Sequence, residues 1–283
     1  MKRLIVLVAL CLSGAGAAQA FNLDLNKLID ATKNVKDLKP VDEQGEAEIG
    51  STSAASLLGA APLVKDEKLE SYVNQIGLWL ASQTERPDLP WRFGVMDSDS
   101  VNAFAAPGGY VFITRGLLLR MRNEAELAGV LAHEISHVLK QHHLKAIQKN
   151  AQVGLVGNLM SLASSNERGL GADAKDKMIS ISSEMYARGL DKDDEYEADR
   201  MGVVIAARAG YDPYGLPAML QTLEAMNPQD SDLALMFKTH PDPHKRLELL
   251  DGLMTGSMER YAGQPVVADR FQKVVGTYAR QKR

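Results

Sequence analysis

Apolar residues between Asn123 and Val138 recur at helical spacing, with Leu127, Val130, Leu131, Ile135 and Val138 on one face. Asn123 ahead of Glu124 and Glu126 reads as an N-cap with an acidic first turn, and Glu126 stands at the capping-box position. The stripe predicts a helix packed on a core. Helical pattern also covers about 41–59 and 66–82. Trp91 to Met96, Val101 to Phe104 and Gly109 to Ile113 read as short strands, and Pro107-Gly108-Gly109 turns the chain between the last two. Beyond Asn123 the pattern is mostly helical. Val153 to Ala163 reads as a core helix rich in small residues, and Ser164 to Lys175 as a loop able to cover a cleft. The predicted class is α+β, mostly helical, with a small sheet beside the helix that starts at Asn123.

That helix carries His133-Glu134-Ile135-Ser136-His137, an H-E-x-x-H pattern. Residues four apart share a helix face, so both His rings can turn a nitrogen to one metal ion. Neutral imidazole suits zinc, and a catalytic site then lacks one more protein ligand. Glu134 would stand beside the open position, able to take a proton from water and return it to a leaving amine. The acidic run Asp193 to Asp199 offers the third ligand. Glu195 and Asp199 are again four apart on a predicted helix. If Glu195 faces the metal, Asp199 lies one turn away and can accept the free ring N–H of a ligating His. By itself such a run reads as a solvated helix start favoured by the macrodipole.

H-E-I-S-H followed by E-Y-E-A-D-R-M-G resembles the M48 family of zinc metallopeptidases, with its glutamate-zincin arrangement. Asn102 to Phe112, Ala209-Gly210-Tyr211-Asp212-Pro213 and Thr239-His240-Pro241 with Arg246 fit the same family, over about residues 65–250. The resemblance implies one zinc ion per chain on His133, His137 and Glu195. It implies Glu134 as general base and Asp199 behind the ligands. It brings His240 near the metal, as an oxyanion donor or as a latch on the open position. Arg246 then orients or screens that segment, or forms a salt bridge. In zinc peptidases an edge strand beside the active-site helix pairs with extended substrate, and Gly109, Tyr110 and Val111 are the substrate-binding candidates; an ordinary sheet strand is the alternative. The tandem His142 and His143 follow the motif and read as surface residues or as residues behind the ligands, because a continuing helix turns them away from His133 and His137.

Composition agrees. At 283 residues and 45% hydrophobic the chain can bury a large core. A net charge of −4 carries no nucleic-acid footprint. Lys2 and Arg3 precede an apolar run from Leu4 to Leu10, and Ala18-Gln19-Ala20 offers a cleavage site, so residues 1–20 read as a secretory signal. Cys11, the single cysteine, would leave with it. Leu10 is too large for a typical lipobox, so a lipoprotein is not the expectation. Residues 21–40 read as a polar lead-in and 41–283 as one domain. No later segment reaches the ~18 apolar residues of a membrane span. The expected protein is a periplasmic zinc endopeptidase acting on unfolded or misassembled envelope polypeptides, with room for peripheral contact with the envelope membrane or assembly machinery. The competing expectation is a chaperone-like scaffold whose zinc is structural and closed by His240. A zinc hydrolase acting on something other than peptide is a third reading.

Overall fold

The computed structural model describes residues 41–150, 186, 189–227, 229–240 and 242–281. The expectations for residues 1–40, 153–163 and 164–175 lie outside these. The elements run α1 (Glu43–Ala60), α2 (Glu67–Ala81), β1 (Arg92–Met96), β2 (Ala103–Ala106), β3 (Tyr110–Thr114), α3 (Arg115–Leu118) and α4 (Glu124–Leu139). A helix over 142–150 is α5. Then come α6 (Lys192–Arg208), α7 (Gly215–Glu224), α8 (Ala234–Thr239), α9 (Pro243–Leu253), α10 (Ala268–Phe271) and α11 (Thr277–Gln281). The mostly helical α+β expectation holds. No helix among the described residues is long and apolar enough to cross a membrane.

Helix α4 is the axis of the molecule. Every residue from Glu124 to Val138 is buried, so the apolar stripe understated a helix enclosed on all sides. Small residues allow this. An added β-carbon on Gly129 would stand 2.6 Å from the Leu216 nitrogen, and one on Gly202 2.9 Å from the His133 nitrogen. The Asn123 side chain accepts from the Glu126 N–H at 3.0 Å. Glu126 answers to the Arg122 N–H at 2.8 Å, one residue before the expected capping-box partner. At the same end the buried Glu124 carboxylate accepts the hydroxyls of Tyr72 and Tyr211 at 2.7 Å each, and Arg270 pairs with it. Burial alone would push Glu124 up, but these partners outweigh it and hold it low. The start of α4 is thereby pinned to α2 and to the C-terminal segment.

The sheet order is β1-β3-β2, with β1 parallel and β2 antiparallel to β3. This corrects the expectation for Gly109, Tyr110 and Val111. The Gly109 carbonyl accepts from the Arg92 N–H at 2.9 Å, Tyr110 pairs with Arg92 and Ala106, and Val111 with Phe93 and Ala105. A central strand has no edge to offer a substrate. The outer edge of β1 is closed as well. Asn74 accepts from the Phe93 N–H, Glu70 accepts from the Val95 N–H, and the Val64 N–H bonds to the Val95 carbonyl. The edge strand beside α4 is β2. The Thr114 N–H bonds to the Asn102 carbonyl, so alternation turns the backbone groups of Ala103 and Ala105 away from β3.

One face of the sheet packs through Val95, Ala103, Ala105, Val111 and Ile113 into the main core around α2, α4 and α7. The other face, with Met96, Phe104 and Phe112, packs against α1, Leu144, Ile147 and Tyr186.

Candidate metal centre

His133 and His137 emerge from one face of α4, and Glu195 reaches them from the first turn of α6. The two Nε2 atoms are 3.0 Å apart. Glu195 Oε1 is 3.3 Å from His137 Nε2, and Oε2 is 3.6 Å from His133 Nε2. All three side chains are buried, and their donor atoms lie within 4.8 Å of one another. Donors held 2.0–2.1 Å from one zinc in a tetrahedral arrangement sit about 3.3 Å apart. The observed separations bracket that figure, so the set fits the ion.

The electrostatics fit it too. Glu134, Glu195 and Asp199 face one buried guanidinium, Arg246, an excess of two negative charges in a region that water does not screen. Burial and Arg246 both push His133 down, yet its bonds to Asp199 and Glu195 hold it up at about 9. His137, 3.0 Å away, is driven well below the usual range, with burial the largest cause. The cage therefore attracts one positive charge between two rings that cannot both be protonated. A divalent cation would take the place of that proton.

Behind His133, Asp199 Oδ1 lies 3.0 Å from Nδ1. Arg246 grips Asp199 with two hydrogen bonds, one of 2.8 Å from Nε, and its Nη1 is 3.9 Å from Glu195 Oε2. Burial raises the Asp199 carboxyl, but Arg246 overrides it and holds it at about 2. His240, at the end of α8, brings Nδ1 to 2.8 Å from Glu195 Oε2, and its ring centre is 5.8 Å from that of His133. Thus Glu134, Glu195, Asp199, His240 and Arg246 all converge on the histidine pair; Gly109, Tyr110 and Val111 do not join them.

Glu134 is 2% exposed, and burial is the main force pushing its carboxyl up. It borders two small cavities. One, of about 30 Å³, is also lined by His133, His240, Arg246, Ala103 and Met219. The other, of about 20 Å³, is bounded by Phe104, His143, Tyr186, Glu195 and His240. Each has room for roughly one water.

Three more residues reach the site, and of these the sequence carries no signal for Tyr186. A continuing helix would leave His142 and His143 at the surface or behind the ligands, with no contact to His137 specified. Instead the chain breaks after α4 at Gln141, which has a left-handed φ of 56°. Such a conformation costs a non-glycine residue about 1–3 kcal/mol. Gln141 is held there by its own hydrogen bond to Glu46 Oε2, at 3.0 Å. The turn swings His142 against His137 and puts the His143 ring centre 5.4 Å from that of His137. Burial drives His143 down to about 3. Tyr186 stacks on His143, meets Phe104 edge-on and donates its hydroxyl to the Ala105 carbonyl at 2.9 Å. Non-glycine left-handed turns carry almost no sequence signal, and a lone tyrosine far along the chain carries none.

Comparison with known proteins agrees with the geometry. Peptidase family M48 matches residues 67–254. The chain is 32% identical over 214 residues to "Beta-barrel assembly-enhancing protease" of Escherichia coli, covering 71% of this chain and 42% of that protein. The protein of the same name from Yersinia pestis is also 32% identical over 214 residues, with the same coverage. "Mitochondrial metalloendopeptidase OMA1" of Schizosaccharomyces pombe is 28% identical over 184 residues, covering 64% of this chain and 51% of that protein. The chain spans less than half the length of these bacterial relatives.

Proposed function

The chain belongs to peptidase family M48, and from that premise we propose that it is a zinc metalloendopeptidase of the bacterial envelope. The carrying observation is Glu134, buried beside His133, His137 and Glu195 and bordering both small cavities. His133, His137 and Glu195 would hold the metal. Zinc, when bound there, would polarise a scissile carbonyl and make a nearby water more acidic.

The protein's own groups do the rest. Glu134 takes the proton from the attacking water and returns it to the departing amine. Its raised affinity for protons suits a group that must accept one and then give it up. Asp199, clamped by Arg246, fixes the His133 ring. His240, bordering both cavities, is assigned the donor to the oxyanion. An extended substrate would run along β2 by displacing the Asn102 side chain from the Ala103 N–H and the Tyr186 hydroxyl from the Ala105 carbonyl. Pairing through main-chain groups reads little sequence, which suits unfolded polypeptides.

Substrates are proposed to be misfolded or unassembled envelope proteins in the periplasm. The names of the bacterial relatives and the signal-like residues 1–20 support this. The scaffold alternative has less behind it, because a structural zinc site has no use for Glu134. The test is cleavage of casein by the zinc-loaded chain beside Glu134→Gln. The wild type is expected to cut, and Glu134→Gln to keep its zinc and lose hydrolysis. Undiminished turnover by Glu134→Gln would sink the assignment.

A further inference from the structure

We propose that His142 is a positioning residue for the metal centre: it fixes the ring of His137 through a hydrogen-bonded relay that ends at the surface carboxylate of Glu197. The inference rests on the metal reading above and deepens it.

His137 turns Nε2 toward His133 and Glu195. A neutral imidazole carries one N–H, so a ring whose Nε2 lone pair serves a metal keeps its proton on Nδ1 and needs an acceptor there. For His133 that acceptor is Asp199. For His137 the atom in place is not a carboxylate. It is Nδ1 of His142, at 3.0 Å, with the two rings nearly perpendicular and their centres 5.1 Å apart. Two facing Nδ1 atoms form a hydrogen bond only if one is bare. Since His137 must hold the proton, His142 accepts at Nδ1 and carries its own proton on Nε2.

The surroundings of His142 Nε2 match that assignment. Glu197 Oε2 lies 3.2 Å away and Asp194 Oδ1 3.5 Å away, and both can only accept. Glu197 is held in turn by Lys140 Nζ at 3.0 Å. Lys140 takes Oε1 and His142 takes Oε2, so the two donors do not compete for one oxygen. Each donor along the line meets an acceptor, and only one pair of tautomers satisfies all of them. The side chain of His142 is 1% exposed and that of Glu197 42%, so the relay runs from the buried ligand to solvent.

The backbone is built to make this contact. In an unbroken helix, position 142 would point about 140° away from position 137. The left-handed Gln141 cancels that rotation and is itself tied to Glu46. The two ligating histidines therefore have different supports. His133 is fixed by a buried carboxylate and guanidinium, and His137 by a buried imidazole that bonds in turn to a surface carboxylate.

The experiment compares the full chain with His142→Leu and His142→Asn. Leucine removes the acceptor and keeps bulk, while the asparagine amide oxygen can stand where Nδ1 stood. Zinc affinity is read by competition with a chromogenic chelator, and the fold of each metal-free protein by circular dichroism. Ring tautomers in the zinc-loaded wild type are read by long-range ¹H–¹⁵N imidazole correlation. His142→Leu is expected to bind zinc about 10–100-fold more weakly, and His142→Asn to recover to within about threefold of wild type. The spectra should show the proton on Nδ1 of His137 and on Nε2 of His142. Wild-type affinity in His142→Leu, equal losses in both variants, or a proton on Nδ1 of His142 would each overturn the relay while leaving the metal reading intact. A wild type that binds no zinc would overturn both.

Discussion

Replacing Gly202 with alanine tests the contact that sets the distance between the two ligand-bearing helices. Gly202 lies on α6, two turns past Glu195, where an added β-carbon would stand 2.9 Å from the His133 nitrogen and 3.0 Å from its α-carbon. Non-bonded carbon contacts relax at about 3.5–4.0 Å. The helices must therefore part by about half an ångström. Glu195 sits 3.3 and 3.6 Å from the two Nε2 atoms across that same gap, and metal sites tolerate ligand errors of about 0.2 Å. Gly252 on α9 is the control, because a β-carbon there meets nothing within 4 Å. Alanine relieves the glycine helix penalty, about 1 kcal/mol, at both positions, so comparing the two variants removes that gain. Overpacking costs about 1–3 kcal/mol. In urea unfolding of metal-free protein, Gly202→Ala should be less stable than Gly252→Ala by about that amount. It should also bind zinc about tenfold more weakly than wild type, while Gly252→Ala binds normally. Equal stability of the two variants with unchanged zinc affinity would refute the close-contact argument.

Two further outcomes are expected. Burial pushes the Glu70 carboxyl up to about 7, against the bond from the Val95 N–H and with help from nearby Asp66. Between its unfolded value of about 4.3 and about 7 the folded state binds the extra proton, so this group's contribution to stability falls as pH rises through that window. Glu70→Gln should accordingly match wild type in melting temperature near pH 4 and exceed it at pH 8; a gap independent of pH would contradict this. Tyr186→Phe removes the hydroxyl from the Ala105 carbonyl and opens that position on β2 to a substrate N–H. A hydrogen bond of about 0.5–1.5 kcal/mol predicts KM for extended peptides about 2–10-fold lower with kcat unchanged. A fall in kcat instead would assign the hydroxyl to the chemistry.

What the sequence determined by itself is local. Four-residue spacing fixes which side chains share a helix face, so His133 with His137 and Glu195 with Asp199 were legible before any fold was known. The Asn123 cap and the acidic turn were legible for the same reason. Tertiary structure decided the contacts that neither spacing nor the family motifs specify. Strand order put β3 in the middle and left β2 at the edge, a matter of pairing across the chain that no strand pattern encodes. One left-handed residue, Gln141, reversed the expected direction of His142 and His143. Arg246 found Asp199 across 47 residues, and Tyr186 found Ala105 across 81. Such contacts form because burial leaves polar groups no water to bond, so they take whatever partner the packed core brings within reach.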